Sequence, residues 1–310
     1  MNGSITLDWF LHLQIYFIRG ILKMKLLKIS AALLVSSFAL QANAVDLDAG
    51  DYDVAPAGTS LALLYLQRAS RDELYVGSDK QAGNPQLDSN IGIARFVHYT
   101  DIAGFRAAPQ ILIPFGELKA KGDISALGSS SGIGDIILAS PVWLLNNPDA
   151  KTYFGITPYL YLPTGKYDKD DALNLGENRY KLNIQAAYTT RLAPNVAWDA
   201  SADFTIYGDN DDIAGGGKLK QDVGYQVQTN ARYFLNDQWD LRAGLSYAEA
   251  GDTKLNGVSS ESNKQSKFWV GTAYSPTATT NIILTYGQDI KVENGFKEDN
   301  RINVRLLKVF

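Results

Sequence analysis

The side chains best placed for chemistry in this sequence are carboxylates, amides and guanidinium groups standing at every second position of several stretches. Asp199 and Asp203 share one such face, Gln226, Gln228 and Arg232 another, and Arg242, Arg301 and Arg305 occupy matching places further on. Arg95, Arg106, Asp135, Lys181, Arg191 and Asp289 fit the same scheme. Catalytic sets are thin. The chain has no cysteine, which removes thiol nucleophiles, disulfides and thiolate zinc sites. Its two histidines are His12 and His98, and a hydrolase of the serine type needs a histidine within hydrogen-bond reach of its serine. Gly215, Gly216 and Gly217 do not follow a strand and open a helix, so they read as a flexible loop tip rather than a phosphate cradle. Asp209, Asp211 and Asp212 offer a surface site for calcium or bridging cations, with solvated loop charge as the commoner state of such residues. No catalytic residue, metal or cofactor is expected. A formal net charge of -4 gives no basic footprint, so nucleic acid is not an expected partner.

Residues that alternate in this way need strands to hold them, because only a strand turns successive side chains to opposite faces. Val223, Tyr225, Val227, Thr229, Ala231 and Tyr233 oppose Gln226, Gln228, Asn230 and Arg232. Val196, Trp198, Ala200, Ala202 and Phe204 oppose Asp199, Ser201 and Asp203, and Leu182, Ile184 and Ala186 oppose Lys181, Asn183 and Gln185. One face suits hydrocarbon and the other suits water. Short turns at Thr100-Asp101, 146–149, 192–195, 235–238 and 275–279 alternate with long polar connections near 69–88, 116–131, 163–178, 208–220, 250–265 and 291–299. Five short and six long connections join twelve strands, drawn at 57–68, 89–100, 102–115, 132–146, 150–162, 179–191, 195–208, 220–235, 237–250, 265–276, 280–291 and 300–310. This is the pattern of an all-β, up-and-down antiparallel barrel crossing a membrane. A mean hydropathy of -0.14 suits it, since the two faces average out. Trp198, Trp239, Tyr99, Tyr188, Tyr233 and Tyr274 lie near short turns, where an interfacial aromatic belt is expected.

The two ends of the chain give the compartment. From Met24 a basic start, an apolar run from Ile29 to Leu40 and Ala42-Asn43-Ala44 make a secretory signal peptide over 24–44. Residues 1–23 are expected to be an upstream extension, and the barrel to occupy 45–310. The last strand alternates Ile302, Val304 and Leu306 with Arg301, Asn303 and Arg305 and ends in Phe310, resembling the signal that barrels present to their insertion machinery. Lys308 departs from the apolar residue usual there and is expected to snorkel to headgroups. The expected home is the outer membrane of a Gram-negative bacterium, with its lipid and lipopolysaccharide as neighbours.

Several motifs carry a family resemblance over nearly the whole barrel. They are Gly50-Asp51-Tyr52-Asp53 with Pro56 and Gly58, Ser131-Gly132-Ile133-Gly134-Asp135, Pro141-Val142-Trp143-Leu144, Thr157 to Tyr167 including Tyr159, Tyr161, Pro163, Thr164 and Gly165, and Leu173 to Arg179 including Glu177 and Asn178. With these the chain resembles the outer-membrane transporters of the MetA-pathway of phenol degradation family, whose members occur near genes for breakdown of aromatic compounds. The resemblance implies a barrel and passive uptake of small hydrophobic or aromatic compounds. Proline and glycine would fix the turns of the 163–178 loop, and Glu177 with Arg179 would pin it, making it a candidate gate as readily as a plain structural loop. Tyr153, Tyr159, Tyr161 and Tyr207 would flank the route. The alternative is a structural or surface-interaction barrel with its lumen plugged by mutually paired charges. A third reading, a lipid-acting enzyme, requires His98 to meet a serine or an acid.

Overall fold

The computed structural model describes residues 46–310; the expected upstream extension and signal peptide fall outside them. Among the described residues twelve antiparallel strands close into a ring. They are β1 (Ser60–Arg71), β2 (Pro85–His98, continued by Thr100–Ile102), β3 (Phe105–Ala107 and Gln110–Gly122), and β4 in three pieces (Ser129–Ile133, Ile137–Ala139 and Val142–Asn147). Then follow β5 (Thr152–Tyr161), β6 (Lys181–Ala193), β7 (Val196–Tyr207) and β8 (Gly224–Phe234). Last come β9 (Trp239–Glu249), β10 (Lys264–Thr277), β11 (Thr280–Glu293) and β12 (Asn300–Val309). Each strand pairs with its sequence neighbour, and β1 pairs with β12 from Leu61↔Val309 to Ser70↔Asn300. Closure is what hydrocarbon demands, since every unpaired peptide group on an open edge costs several kcal/mol there.

The side-chain period sorts the ring into an apolar outside and a polar inside. On β8, Gln226, Gln228, Asn230 and Arg232 are buried inside, whereas Tyr225, Val227 and Tyr233 are exposed outside. Leu245, Val270, Leu284 and Ile302 continue the outer band. Trp239 stacks on Tyr274 at 4.4 Å and Tyr188 meets Trp198 edge-on at 6.2 Å near the short turns, forming part of the expected aromatic belt. Lys308 does turn to the rim, where its ammonium donates to Thr279 Oγ1 at 2.8 Å.

The first three strands differ most from expectation. β1 lies three residues later than drawn, and β2 and β3 form one long hairpin in a single register from Pro85↔Gly122 to Ile102↔Phe105. Its turn is at Ala103 and Gly104, both in the left-handed region (φ 50° and 86°), rather than at Thr100-Asp101. Two such residues make the tight turn whose twist matches a hairpin, and alanine there gave no warning in the sequence. The hairpin therefore overshoots the periplasmic rim. Arg106, expected in the lumen, sits on this overhang, pairing with Asp101 at 2.7 Å and donating to the Ala55 carbonyl. Tyr99, expected in the belt, faces inward instead and stacks on Trp143 at 5.6 Å. Residues 220 and 221, expected at the start of β8, belong with 219 to a small three-stranded sheet with 253–255 and 258–260 on the opposite, long-loop side. A second small sheet joins 73–76, 79–80 and 295–297.

The wall is weakest between β3 and β5. Pro109 interrupts β3, Pro114 lies within its continuous Gln110–Gly122 stretch, Pro141 interrupts β4 and Pro158 lies in β5. Each proline carbonyl accepts one bond, from His98, Gly134, Ala108 and Ser140 respectively, at 2.9 to 3.4 Å. None can return it, so four reciprocal pairs are half made. The β3–β4 pairing also breaks between Leu112↔Ile137 and Phe115↔Ile133. Elsewhere the register shifts at Arg191/Ala193, Ser266/Lys267 and Tyr274/Thr277, and a charge placed on the lipid face between these points has no shelter. Val270→Arg, at the middle of β10, is expected to cost about 2–4 kcal/mol in refolding titrations into lipid vesicles. An unchanged midpoint would place Val270 away from hydrocarbon.

Candidate functional site

The chain before β1 turns into the ring. Residues 46–55 run up the lumen, and their aspartates meet cations that the wall presents at successive heights. Asp53 pairs with Arg232 at 2.7 Å, near the periplasmic end. Asp51 bridges Arg95 (3.0 Å) and Arg305 (2.7 Å), and Asp48 adds a second bond to Arg305 at 3.0 Å. Asp46 reaches Arg301 at 2.6 Å and Lys267 at 3.3 Å. Backbone contacts fix the register: Leu47 N donates to Gln228 at 3.0 Å, Leu47 O accepts from Asn230 at 3.1 Å, and Ala49 O accepts from Arg242 at 3.3 Å. Tyr52 anchors the turn of the segment. Its hydroxyl contacts Thr157 at 2.5 Å, and its carbonyl accepts from Trp143 Nε1 at 3.1 Å. Leu47 and Tyr52 are buried with Leu63, Val97, Tyr99, Trp143 and Tyr153 in one apolar cluster at this end.

Sequence reasoning placed the lumen charges on facing strands and looked for their partners there. Arg242 does pair within the wall, with Asp240 at 2.7 Å. Asp199 accepts from Thr189 at 2.6 Å and lies 3.6 Å from Arg232, while Asp203 accepts from Asn183 at 2.7 Å. The main partners of Arg95, Arg232, Arg301 and Arg305, however, come from Asp46, Asp48, Asp51 and Asp53. The available signal was an acidic run, four aspartates in eight residues, directly before a wall rich in inward arginines.

At the opposite mouth the 163–178 loop folds over the opening. Its anchor is Asp135, which sits in the break of β4. One Asp135 oxygen accepts from Gly165 N and the other from Glu177 N, both at 2.9 Å, so a single carboxylate ties the two ends of the loop together. Thr164 Oγ1 accepts from Ile136 N at 3.0 Å. Gly165 and Gly176 touch backbone to backbone; a Cβ on either would lie 2.7 Å from the other's main chain, so only glycine fits there. Pro163 begins the turn into this segment. Glu177 pairs with Arg179 at 2.6 Å and with Lys181, and Arg179 also donates to Gln221 at 2.6 Å. Asn178, in the left-handed region at φ 53°, donates to Asn210 at 3.1 Å. Leu173 and Leu175 point down into the mouth and pack with Leu87, Leu118, Ala120 and Phe296. Burial alone would raise the Glu177 carboxyl, but Lys181 and Arg179 outweigh it and bring the group from 4.5 down to about 2.

Tyr159 and Tyr161 face the lumen from β5, buried against Leu112, Ile137 and Ala139 with Ile93 beside them. Lys181 lies over the Tyr161 ring at 4.3 Å and Arg179 over Tyr207 at 4.7 Å, while Tyr153 belongs to the periplasmic cluster. Asp209 and Asp211 hold Lys218 at 3.1 and 2.9 Å, and Lys169 holds Asp212 at 3.1 Å, so these carboxylates serve loop contacts. His98 does meet a serine, with Nδ1 3.0 Å from Ser60 Oγ at the exposed rim. No carboxylate completes that pair among the described residues.

A closed ring with an apolar belt, a filled polar lumen and long loops on one side is an outer-membrane β-barrel. The profile of the MetA-pathway of phenol degradation family matches residues 71–306, and the chain belongs to that family. An outer membrane channel from Pseudomonas putida F1, solved by crystallography, is 37% identical, with a TM-score of 0.82 over 86% of this chain and 100% of that one. The transport unit of the autotransporter AIDA-I from Escherichia coli is similar in fold only, at 10% identity and a TM-score of 0.51, over 90% of this chain and 96% of that one. No curated protein matches the chain. The protein resides in the outer membrane of a Gram-negative bacterium, and the relatives found are membrane barrels rather than enzymes.

Two charge-assisted bonds to Asp135 are worth roughly 1.5–3 kcal/mol each, so Asp135→Ala should free the loop. Amide hydrogen exchange at Gly165 and Glu177 is expected to speed up more than tenfold, and unchanged protection would refute the anchor. The depressed Glu177 value sets the sign of the pH effect. Its pairing is fully present above about pH 4.5 and is lost as pH falls toward 2. Loop protection should decline across that window.

Proposed function

We propose that this barrel admits small apolar solutes, aromatic compounds among them, by passive diffusion, and that they leave the lumen sideways through the β3–β5 wall. The observation that carries this reading is the combination of an axial block with a wall defect. Residues 46–55 occupy the axis and are tied to it by ion pairs from Asp46 to Asp53. The wall beside them lacks three hydrogen-bond donors in the β3–β4 and β4–β5 pairings, at Pro114, Pro141 and Pro158. An apolar patch of Ile93, Leu112, Ile137, Ala139, Tyr159 and Tyr161 lines the inner side of that defect. In this reading Asp135, Pro163, Thr164, Gly165, Glu177, Asn178 and Arg179 shape a loop that governs access from outside. A water-filled axial pore has no such support, because residues 46–55 occupy the axis and pair with the lumen cations.

The paired interior equally supports a closed structural barrel, and function separates the two. Lipopolysaccharide at the long-loop rim and the insertion machinery at the Phe310 strand are further partners in this proposal, supported by the membrane placement and the exposed terminal Phe310. The test uses a lock on the wall. Ile111 and Leu138 are direct cross-strand partners of β3 and β4, and the chain has no cysteine of its own. Ile111→Cys with Leu138→Cys, oxidised, is expected to abolish uptake of a hydrophobic aromatic tracer into cells, and reduction should restore it. Equal uptake in both states would discard the lateral route. Absence of uptake by the unmodified protein would leave the structural barrel.

A further inference from the structure

The lumen holds a preformed carboxylate site at its middle, and the plug itself shows how it works. Arg95 on β2 and Arg305 on β12 grip one Asp51 carboxylate from two sides, at 3.0 and 2.7 Å. Tyr65 accepts a bond from Arg95 at 2.9 Å, and Gln110 Oε1 accepts from Arg95 Nε at 2.6 Å, so the guanidinium is held in place by neutral groups as well. The donors are not exhausted. Arg305 Nε and Gln110 Nε2 are both buried without a hydrogen-bond partner among the described residues, and these two residues are only 8% and 7% exposed. Two idle donors beside a pair of arginines call for a further acceptor, preferably an anionic one.

Strand register places an apolar bed against this head site. Leu112 lies directly across from Arg95, Ile137 across from Leu112, and Tyr161 across from Ile137. In the adjacent row Gln110 faces Ala139, which faces Tyr159. Arg95 and Gln110 thus mark one edge of the Ile93, Leu112, Ile137, Ala139, Tyr159 and Tyr161 patch. A ligand with a carboxylate at one end and a ring or short chain at the other spans both.

The geometry points to a binding site for amphiphilic carboxylates, with the head on Arg95, Arg305 and Gln110 and the apolar body on the Leu112–Tyr159 patch. Asp51 and Asp48 of the N-terminal segment act there as a built-in competitor. This inference rests on the apolar-solute reading and narrows its substrate class. A neutral aromatic gains the patch alone, and a small acid gains the arginines alone.

The test is calorimetric titration of the full barrel in detergent with benzoate, benzyl alcohol and acetate. Asp51→Asn weakens the competitor and keeps its shape. It is expected to tighten benzoate by about tenfold or more, the worth of a hydrogen bond to a charged group, and to leave benzyl alcohol unchanged. Asp51→Asn with Arg95→Gln removes both members of the pair, so no buried charge is stranded, and the gain for benzoate should vanish. Heat-modifiable gel mobility checks that each variant is folded. Equal binding of benzoate and benzyl alcohol by Asp51→Asn would overturn the carboxylate site while leaving the apolar-solute reading intact. Acetate binding as tightly as benzoate would overturn the amphiphile class, and binding of neither aromatic would overturn both readings.

Discussion

The structure depends on the neutralisation of charge inside the lumen. A buried guanidinium without a partner is among the most expensive groups a fold can hold, and removing one partner of such a pair costs roughly 3–5 kcal/mol. Here the wall brings Arg95, Arg232, Lys267, Arg301 and Arg305 inward, and β1 to β12 alone do not supply enough acid at the right heights. Asp46, Asp48, Asp51 and Asp53 make up the difference. Arg71 and Arg301 find a carboxylate in Glu298 as well, in the connection before β12, so the upper lumen is balanced partly by that connection and partly by the segment. The interior is therefore ionic, dense and specific, in contrast to the uniform outer band.

Against that firm interior the wall is uneven. Most of the ring exchanges full pairs of backbone bonds, but the β3–β5 sector gives up several of them to proline and to the break around Asp135. A membrane barrel tolerates such losses only where the freed groups are covered, and here the 162–167 stretch does part of the covering, with Leu162 N bonded to Ile136 O and Lys166 N to Ile133 O. The loop is thus a patch on the wall as much as a cover on the mouth. Asp135 serves both, since the same carboxylate that holds the loop fills the gap in β4.

The ring was legible in the sequence because alternation and loop length are local properties. β6 to β12 came within a few residues of their drawn places, since each has an unbroken run of apolar and polar positions ending in a recognisable turn. β1 to β3 did not. Their inner faces mix Leu63, Tyr65, Ile91, Ile93 and Arg95, so the contrast that locates a strand is weak, and the Ala103-Gly104 turn has little turn character by composition. The pairing of Glu177 with Arg179 could be anticipated because the two are close in sequence. The link from Asp135 to Gly165 and Glu177, and the seat of Asp51 between Arg95 and Arg305, could not. Contacts between residues so far apart follow from closure of the ring, which no window of sequence contains.

The lumen segment also bears on how the molecule assembles. The groups that receive it come from β2, β4, β5, β8, β9, β10 and β12, and they face one another only after β12 has joined β1. Residues 46–55 precede every strand in the chain, yet their binding place comes into being last. A ring closed with one strand missing or out of register would present its arginines at other heights, and Asp46, Asp48, Asp51 and Asp53 would not meet them.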